Sequence, residues 1–266
     1  MSELVASDVI VHYGPVQALF SVSVRVAPGE LVVLLGANGA GKSTMLRALS
    51  GLVAPTSGEI RFGEERLDAR PTEAFAASGI AHIPEGRGTF ARLTVEQNLL
   101  MGLYPRRRER IDRASELDAA LEPFAVLRDR LDQRAGSLSG GEQQMLAVAR
   151  ALISRPKVLL VDEPSHGLAP TVVEDLFALF ARLRTDGLGV LVVEQYAAHA
   201  LAGADRAYVL ERGILHYEGN PTDLVEDRNL LISSYLGSTG GPSDKTPQPR
   251  PRRRGGGGPG RATGRR

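Results

Sequence analysis

Cysteine is absent from the 266 residues, which excludes disulfides and thiolate metal sites. Long apolar runs are also missing. Runs such as residues 31–35 and 158–161 fall far short of the roughly 20 residues a membrane helix needs, so any membrane role is expected to come through a partner. The opening MSELVASDVIVHYG has no basic segment followed by an apolar one, and no secretory leader is expected. The five histidines, His12, His82, His166, His199 and His216, lack metal-ligand spacing, and each is expected to be structural or on the surface. No internal repeat is present.

What remains is an ordinary globular composition, 42% hydrophobic and 24% charged, in a chain long enough to bury a sizeable core. The net charge of +1 conceals a division. Residues 238–266 carry eight Lys/Arg and one Asp, a net of +7, whereas the preceding 237 residues hold 24 basic and 30 acidic groups, a net of −6. The tail is rich in Gly and Pro and nearly devoid of apolar side chains, so it is expected to be a disordered basic tail. It reads as a solubilising extension, with an arm toward anionic lipid headgroups or nucleic acid as the alternative. The run Arg106-Arg107-Arg108-Glu109-Arg110 reads as a solvated face, with a partner or lipid contact as the alternative.

Short strand-like runs alternate with helical patterns through residues 1–237. Strands are expected at 9–12, 21–26, 31–35, 57–62, 80–83, 157–161 and 190–193, and a hairpin around Arg212-Gly213. Helices are expected at 42–50, 71–78, 142–153 and 171–185, and Asn220-Pro221 looks like a helix start with Pro in the first turn. Between 94 and 133 the pattern is helical and charged throughout. Alternating strands and helices argue an α/β fold with a mostly parallel sheet.

Gly36-Ala37-Asn38-Gly39-Ala40-Gly41-Lys42-Ser43 matches G-x-x-x-x-G-K-[ST], between a buried strand and a helix. Glycines let backbone N–H groups close around phosphate oxygens, and the following helix turns its positive end to the same charge. Lys42 is positioned to reach the β- and γ-phosphates, and the Ser43 hydroxyl to join a Mg²⁺ shell. The candidate ATP cradle is therefore Gly36, Asn38, Gly39, Ala40, Gly41, Lys42, Ser43 and Thr44. Residues 158–161 form an apolar strand that ends in Asp162-Glu163. There Asp162 suits Mg²⁺, and Glu163 suits the general base that polarises an attacking water.

Many nucleotidases share those two motifs. Leu138-Ser139-Gly140-Gly141-Glu142-Gln143, directly before a helix, is more specific. Ser139 and Glu142 make an S-x-x-E capping box, and the six residues closely resemble the ABC transporter signature. The resemblance covers about residues 5–237. It implies a P-loop ABC ATPase: a RecA-like, mostly parallel core sheet, an antiparallel β subdomain and an inserted helical subdomain at about 94–150. It further implies that Ser139, Gly140, Gly141 and Glu142 of one subunit close over the γ-phosphate held by another. Tyr13 matches the aromatic that stacks on adenine, while Arg206 and the Gly213 turn match the C-terminal part of the ATPase fold.

Residues 82–90, 162–170 and 191–195 resemble the branched-chain amino acid importer ATPases in particular. In many relatives the position of Glu85 is Gln, a Mg²⁺ ligand and permease contact; that of Gln195 is His, the γ-phosphate switch; and that of Ala169 is Asp. The resemblance thus implies Glu163, Lys42 and Gln195 as catalytic residues and Ser43, Glu85 and Asp162 as metal ligands. Its implied partners are a second ATPase subunit (a homodimer or a paralogue), transmembrane permease subunits and, through the complex, an extracytoplasmic binding protein, at the cytoplasmic face of the membrane. No specific nucleic acid is expected. A urea or amide importer and a soluble non-transport ABC ATPase are the alternatives; the latter predicts tandem modules or a long coiled coil, and neither is present.

Overall fold

The computed structural model describes residues 2–195 and 197–226. The expected tail at 238–266, and the helices expected near Gly237, lie outside the described residues. Two strands, β1 (Leu4–Tyr13) and β2 (Val16–Val26), form an antiparallel hairpin. β1 extends the strand read at 9–12 at both ends, and β2 extends the one read at 21–26 at its start, because pairing recruits residues whose own alternation is weak. β1 also pairs with β4 (Ser57–Phe62), which pairs with β5 (Glu65–Arg66), giving an antiparallel sheet in the order β2-β1-β4-β5. The second sheet is six-stranded. It comprises β3 (Leu31–Leu35), β6 (Ile80–Ile83), β7 (Val158–Asp162), β8 (Gly189–Glu194), β9 (Arg206–Glu211) and β10 (Ile214–Gly219). Their order is β10-β9-β3-β8-β7-β6, and all but the β10–β9 pair are parallel.

The parallel strands are buried on both faces, which is why they read as continuous apolar runs. Along β3, Leu31, Val33 and Leu35 join one core; Val32 and Leu34 join the other. The first core holds α6 (Gly140–Leu152), α7 (Pro170–Thr185) and α8 (Ala197–Leu201) against the sheet. The second packs α1 (Lys42–Leu49), α2 (Thr72–Ser78) and the antiparallel sheet on the opposite face.

Between β6 and α6 the expected helical stretch divides into α3 (Val95–Met101), α4 (Arg113–Leu121) and α5 (Ala125–Arg128). Pro105 sits in a 3₁₀ turn at Tyr104–Arg106, and Pro123 follows the end of α4. Arg106 corrects the reading of its run as a solvated face. Its guanidinium is largely buried, pairs with Glu116 at 2.8 Å and Glu109 at 2.9 Å, and donates to the Ile153 carbonyl. Asn220 behaves as expected, its Oδ1 accepting from the Thr222 N–H at the start of α9 (Pro221–Glu226).

His82 on β6 is structural. Its Nδ1 lies 3.0 Å from the Ser50 hydroxyl, and its buried Nε2 has no partner among the described residues. Burial, with the Arg47 charge adding to it, pulls its pKa down to about 4. The unfolded chain takes up this proton near pH 6.5 and the folded one only near 4. Stability is therefore complete above pH 6.5 and lost as pH falls toward 4, by about 3 kcal/mol for this group. Denaturant melts from pH 8 to 4 should show His82→Gln gaining on wild type by that amount over this window. A constant difference between the two would contradict the assignment.

Candidate functional site

The loop after β3 closes on itself. At Gly36 a Cβ would strike the carbonyl oxygen of Leu210, so the backbone can pass here only as glycine. Gly41 caps α1 at φ 104°, a conformation that L side chains rarely adopt, and turns the helix N-terminus toward the loop. Lys42 is 4% exposed. Its Nζ donates to Gly36 O at 2.8 Å and Ala37 O at 3.2 Å, and pairs with Glu163 Oε1 at 3.1 Å.

β7 lies two strands from β3, with β8 between, and delivers Asp162 and Glu163 to the same end of the sheet. Asp162 is 6% exposed, and its Oδ1 has no partner among the described residues. Burial pushes its pKa up, and the hydrogen-bonded Ser43 hydroxyl opposes that rise. An orphaned carboxylate oxygen beside a hydroxyl is the hard, oxygen-only donor set that a Mg²⁺ ion takes. Glu163 adopts φ 45°, and its N–H donates to Val193 O at 2.9 Å.

Gly41, Lys42, Ser43 and Glu163 line a cavity of about 650 Å³. Among the expected residues, Tyr13, Asn38, Gly39, Gly41, Lys42, Ser43, Thr44, Glu85, Glu163 and Gln195 form its wall. Gly36, Ala40 and Asp162 are not on the wall. Ser139, Gly140, Gly141 and Glu142 do not reach it. They start α6, where the Ser139 hydroxyl accepts from Glu142 N at 3.3 Å and Glu142 Oε2 accepts from Ser139 N at 2.8 Å. The Arg87 guanidinium lies against Gly140 and donates to Gln143 Oε1 at 3.3 Å.

Sequence reasoning missed Val16, Gln17, Ala18, His166 and Arg212 on the cavity wall. His166 was expected to be structural or on the surface, yet its Nδ1 stands 3.8 Å from Glu85 Oε1 and 3.9 Å from Glu163 Oε2. His199 lines a neighbouring cavity of about 570 Å³, which shares Glu163, His166 and Gln195 with the first.

A parallel sheet with a glycine-rich phosphate loop, a buried lysine and two acids at the next motif defines a P-loop nucleoside-triphosphatase. A profile of the ABC transporter family matches residues 19–166. The high-affinity branched-chain amino acid transport ATP-binding protein BraG of Pseudomonas aeruginosa is 50% identical over 78% of this chain and 89% of its own length. The lipopolysaccharide export system ATP-binding protein LptB of Escherichia coli is 37% identical over 89% of this chain and 98% of its own. A solved ATP-binding cassette of an ABC transporter in its ADP conformation superposes with a TM-score of 0.78. It is 26% identical, covering 90% of this chain and all of that one. The chain belongs to the ABC transporter family and is an ATP-binding, ATP-hydrolysing subunit.

Proposed function

We propose that this subunit energises a membrane importer for branched-chain amino acids. The observation that carries the reading is the cavity in which Lys42, Ser43 and Glu163 converge beside the orphaned Asp162 oxygen, in a chain half identical to BraG. The lower identity to the lipopolysaccharide exporter subunit favours import over export.

ATP enters with its phosphates in the loop of residues 36–44 and its adenine against Tyr13. Lys42 releases part of its hold on Gly36 O and Ala37 O and turns its charge to the β- and γ-phosphates. Mg²⁺ would be held by Ser43, Asp162 and Glu85 and would neutralise phosphate charge during transfer. Glu163 accepts the proton of the attacking water, while Gln195 positions the γ-phosphate. The start of α6 stays off this cavity, so Ser139 to Glu142 serve the site of a second subunit, their N–H groups and helix end facing its γ-phosphate. Closure of the pair then moves permease subunits that hold both at the cytoplasmic face of the membrane. Co-purification with permease subunits, followed by uptake assays with leucine, isoleucine, valine and urea, tests this. Uptake of urea alone would overturn the substrate assignment.

Gln195 donates through its amide but does not titrate. Gln195→Ala is expected to slow turnover while the pH–rate profile keeps its shape. His199 lines only the neighbouring cavity, so His199→Ala should leave activity near wild type. Collapse of activity in His199→Ala, with loss of a titration step, would transfer the switch role to His199.

A further inference from the structure

Glu194 is a buried carboxylate to which the mechanism above gives no task. It ends β8, is 2% exposed, and accepts hydrogen bonds at both oxygens, from Ser165 and also from the Gln195 N–H. Oε1 accepts from the Ser165 N–H at 3.0 Å and Oε2 from the Ser165 hydroxyl at 2.9 Å. Burial pushes its pKa up and the two Ser165 bonds pull it down; the nearby Glu163 charge raises it again.

Two residues before Ser165, Glu163 occupies the left-handed region at φ 45°. A β-carbon makes that conformation costly, and it persists only where the surroundings impose it. The surroundings here are the last two residues of β8. Val193 O receives the Glu163 N–H, and Glu194 receives Ser165, so consecutive residues of one buried strand clamp 163–165 at both ends. Packing does not replace the second clamp, because the 570 Å³ cavity opens beside Glu163, Ser165 and Glu194. With the backbone so fixed, the Glu163 carboxylate faces the phosphate cradle and meets Lys42 at 3.1 Å.

We propose that Glu194 is a positioning residue for ATP hydrolysis: by gripping Ser165 it holds Glu163 in the left-handed conformation that aims the base at the nucleotide. The assignment rests on the reading of Glu163 as general base. Because Gln195 follows directly, the same strand end sets the base and carries the residue that touches the γ-phosphate.

The test is steady-state ATPase activity and ATP affinity of the full chain in five variants: Glu163→Gln, Glu194→Ala, Glu194→Gln, Ser165→Ala and Glu163→Gln/Glu194→Ala. Glu194→Ala should lower kcat roughly 10–100-fold with ATP affinity within about twofold of wild type. Glu194→Gln, whose amide can accept from the Ser165 N–H and donate to its hydroxyl, should recover to within about fivefold of wild type. Ser165→Ala keeps the N–H bond and should lose roughly 3–10-fold in kcat. In the Glu163→Gln background Glu194→Ala should change residual turnover less than about twofold, because the group it positions no longer acts. An equal loss in both backgrounds, a loss confined to KM, or full activity in Glu194→Ala would overturn the proposal. If Glu194→Ala does not fold, full activity in Ser165→Ala overturns it and a kcat-only loss there supports it. Wild-type turnover in Glu163→Gln would instead defeat the base assignment itself, so the two failures are distinguishable.

Discussion

Glu163→Gln is expected to cut ATP turnover by roughly 10²–10⁴, the range for removing a general base, while ATP binding is kept. The amide preserves the side chain's shape and can still accept from Lys42 Nζ, which the carboxylate meets at 3.1 Å. It cannot take the proton of an attacking water. Binding depends on the loop of residues 36–44 and on Lys42, whose anchoring to Gly36 O and Ala37 O does not involve Glu163. If nucleotide closes the pair before cleavage, the variant should also accumulate as an ATP-trapped dimer. Gel filtration with ATP and single-turnover assays check both points. Monomer in ATP together with unchanged turnover would remove both roles from Glu163.

Gly102→Ala is expected to be the most damaging single methyl in the inserted helices. Gly102 ends α3 at φ −65° and ψ −17°, a conformation open to any residue, so backbone freedom is not the reason for glycine there. The reason is a close approach. A Cβ would fall on the carbonyl oxygen of Arg150 in α6 and on the Ile153 side chain, far inside van der Waals contact. Backbone is struck rather than the end of a flexible side chain, so α3 and α6 must separate. Inserting volume into a close-packed contact costs about 1–3 kcal/mol and more where backbone must move; at least 3 kcal/mol is expected here. For a chain of this size that lowers Tm by about 6–12 °C. Calorimetry of Gly102→Ala against Gly203→Ala, where a Cβ would meet only the Leu31 side chain at ordinary contact distance, checks the magnitude. A shift under 2 °C would mean that the two helices are not held at this distance.

These two sites also separate what local sequence reveals from what it conceals. The strand–GANGAGKS–helix unit was legible because strand burial, glycine spacing and the helix start occupy 19 consecutive residues, Leu31–Leu49. The Asp162-Glu163 pair and the Ser139/Glu142 capping box were legible for the same reason. The family signature, which no periodicity supplies, was legible through resemblance. The helical stretch at 94–133 was read correctly in type but was not divided, although Gly102, Pro105 and Pro123 are the local breakers at which its helices part.

Composition and spacing by themselves marked the candidate devices: a glycine loop for phosphates, a lysine charge, an oxygen set proposed for a hard cation and a carboxylate proposed as the base. They did so because each device is local and its physics lies within a few neighbouring residues. Tertiary structure alone decided which devices meet. Strand order β3-β8-β7-β6 brings Glu163 to Lys42 and Ser165 to Glu194, and it sets His166 beside Glu85. It also turned Arg106 from an apparent surface charge into a buried partner of Glu116. Period-two alternation specifies that a segment is a strand and which side chains share a face, but not which strands become neighbours. That choice is made by the two cores, which bury both faces of β3, β7 and β8 and thereby set the distances at the site.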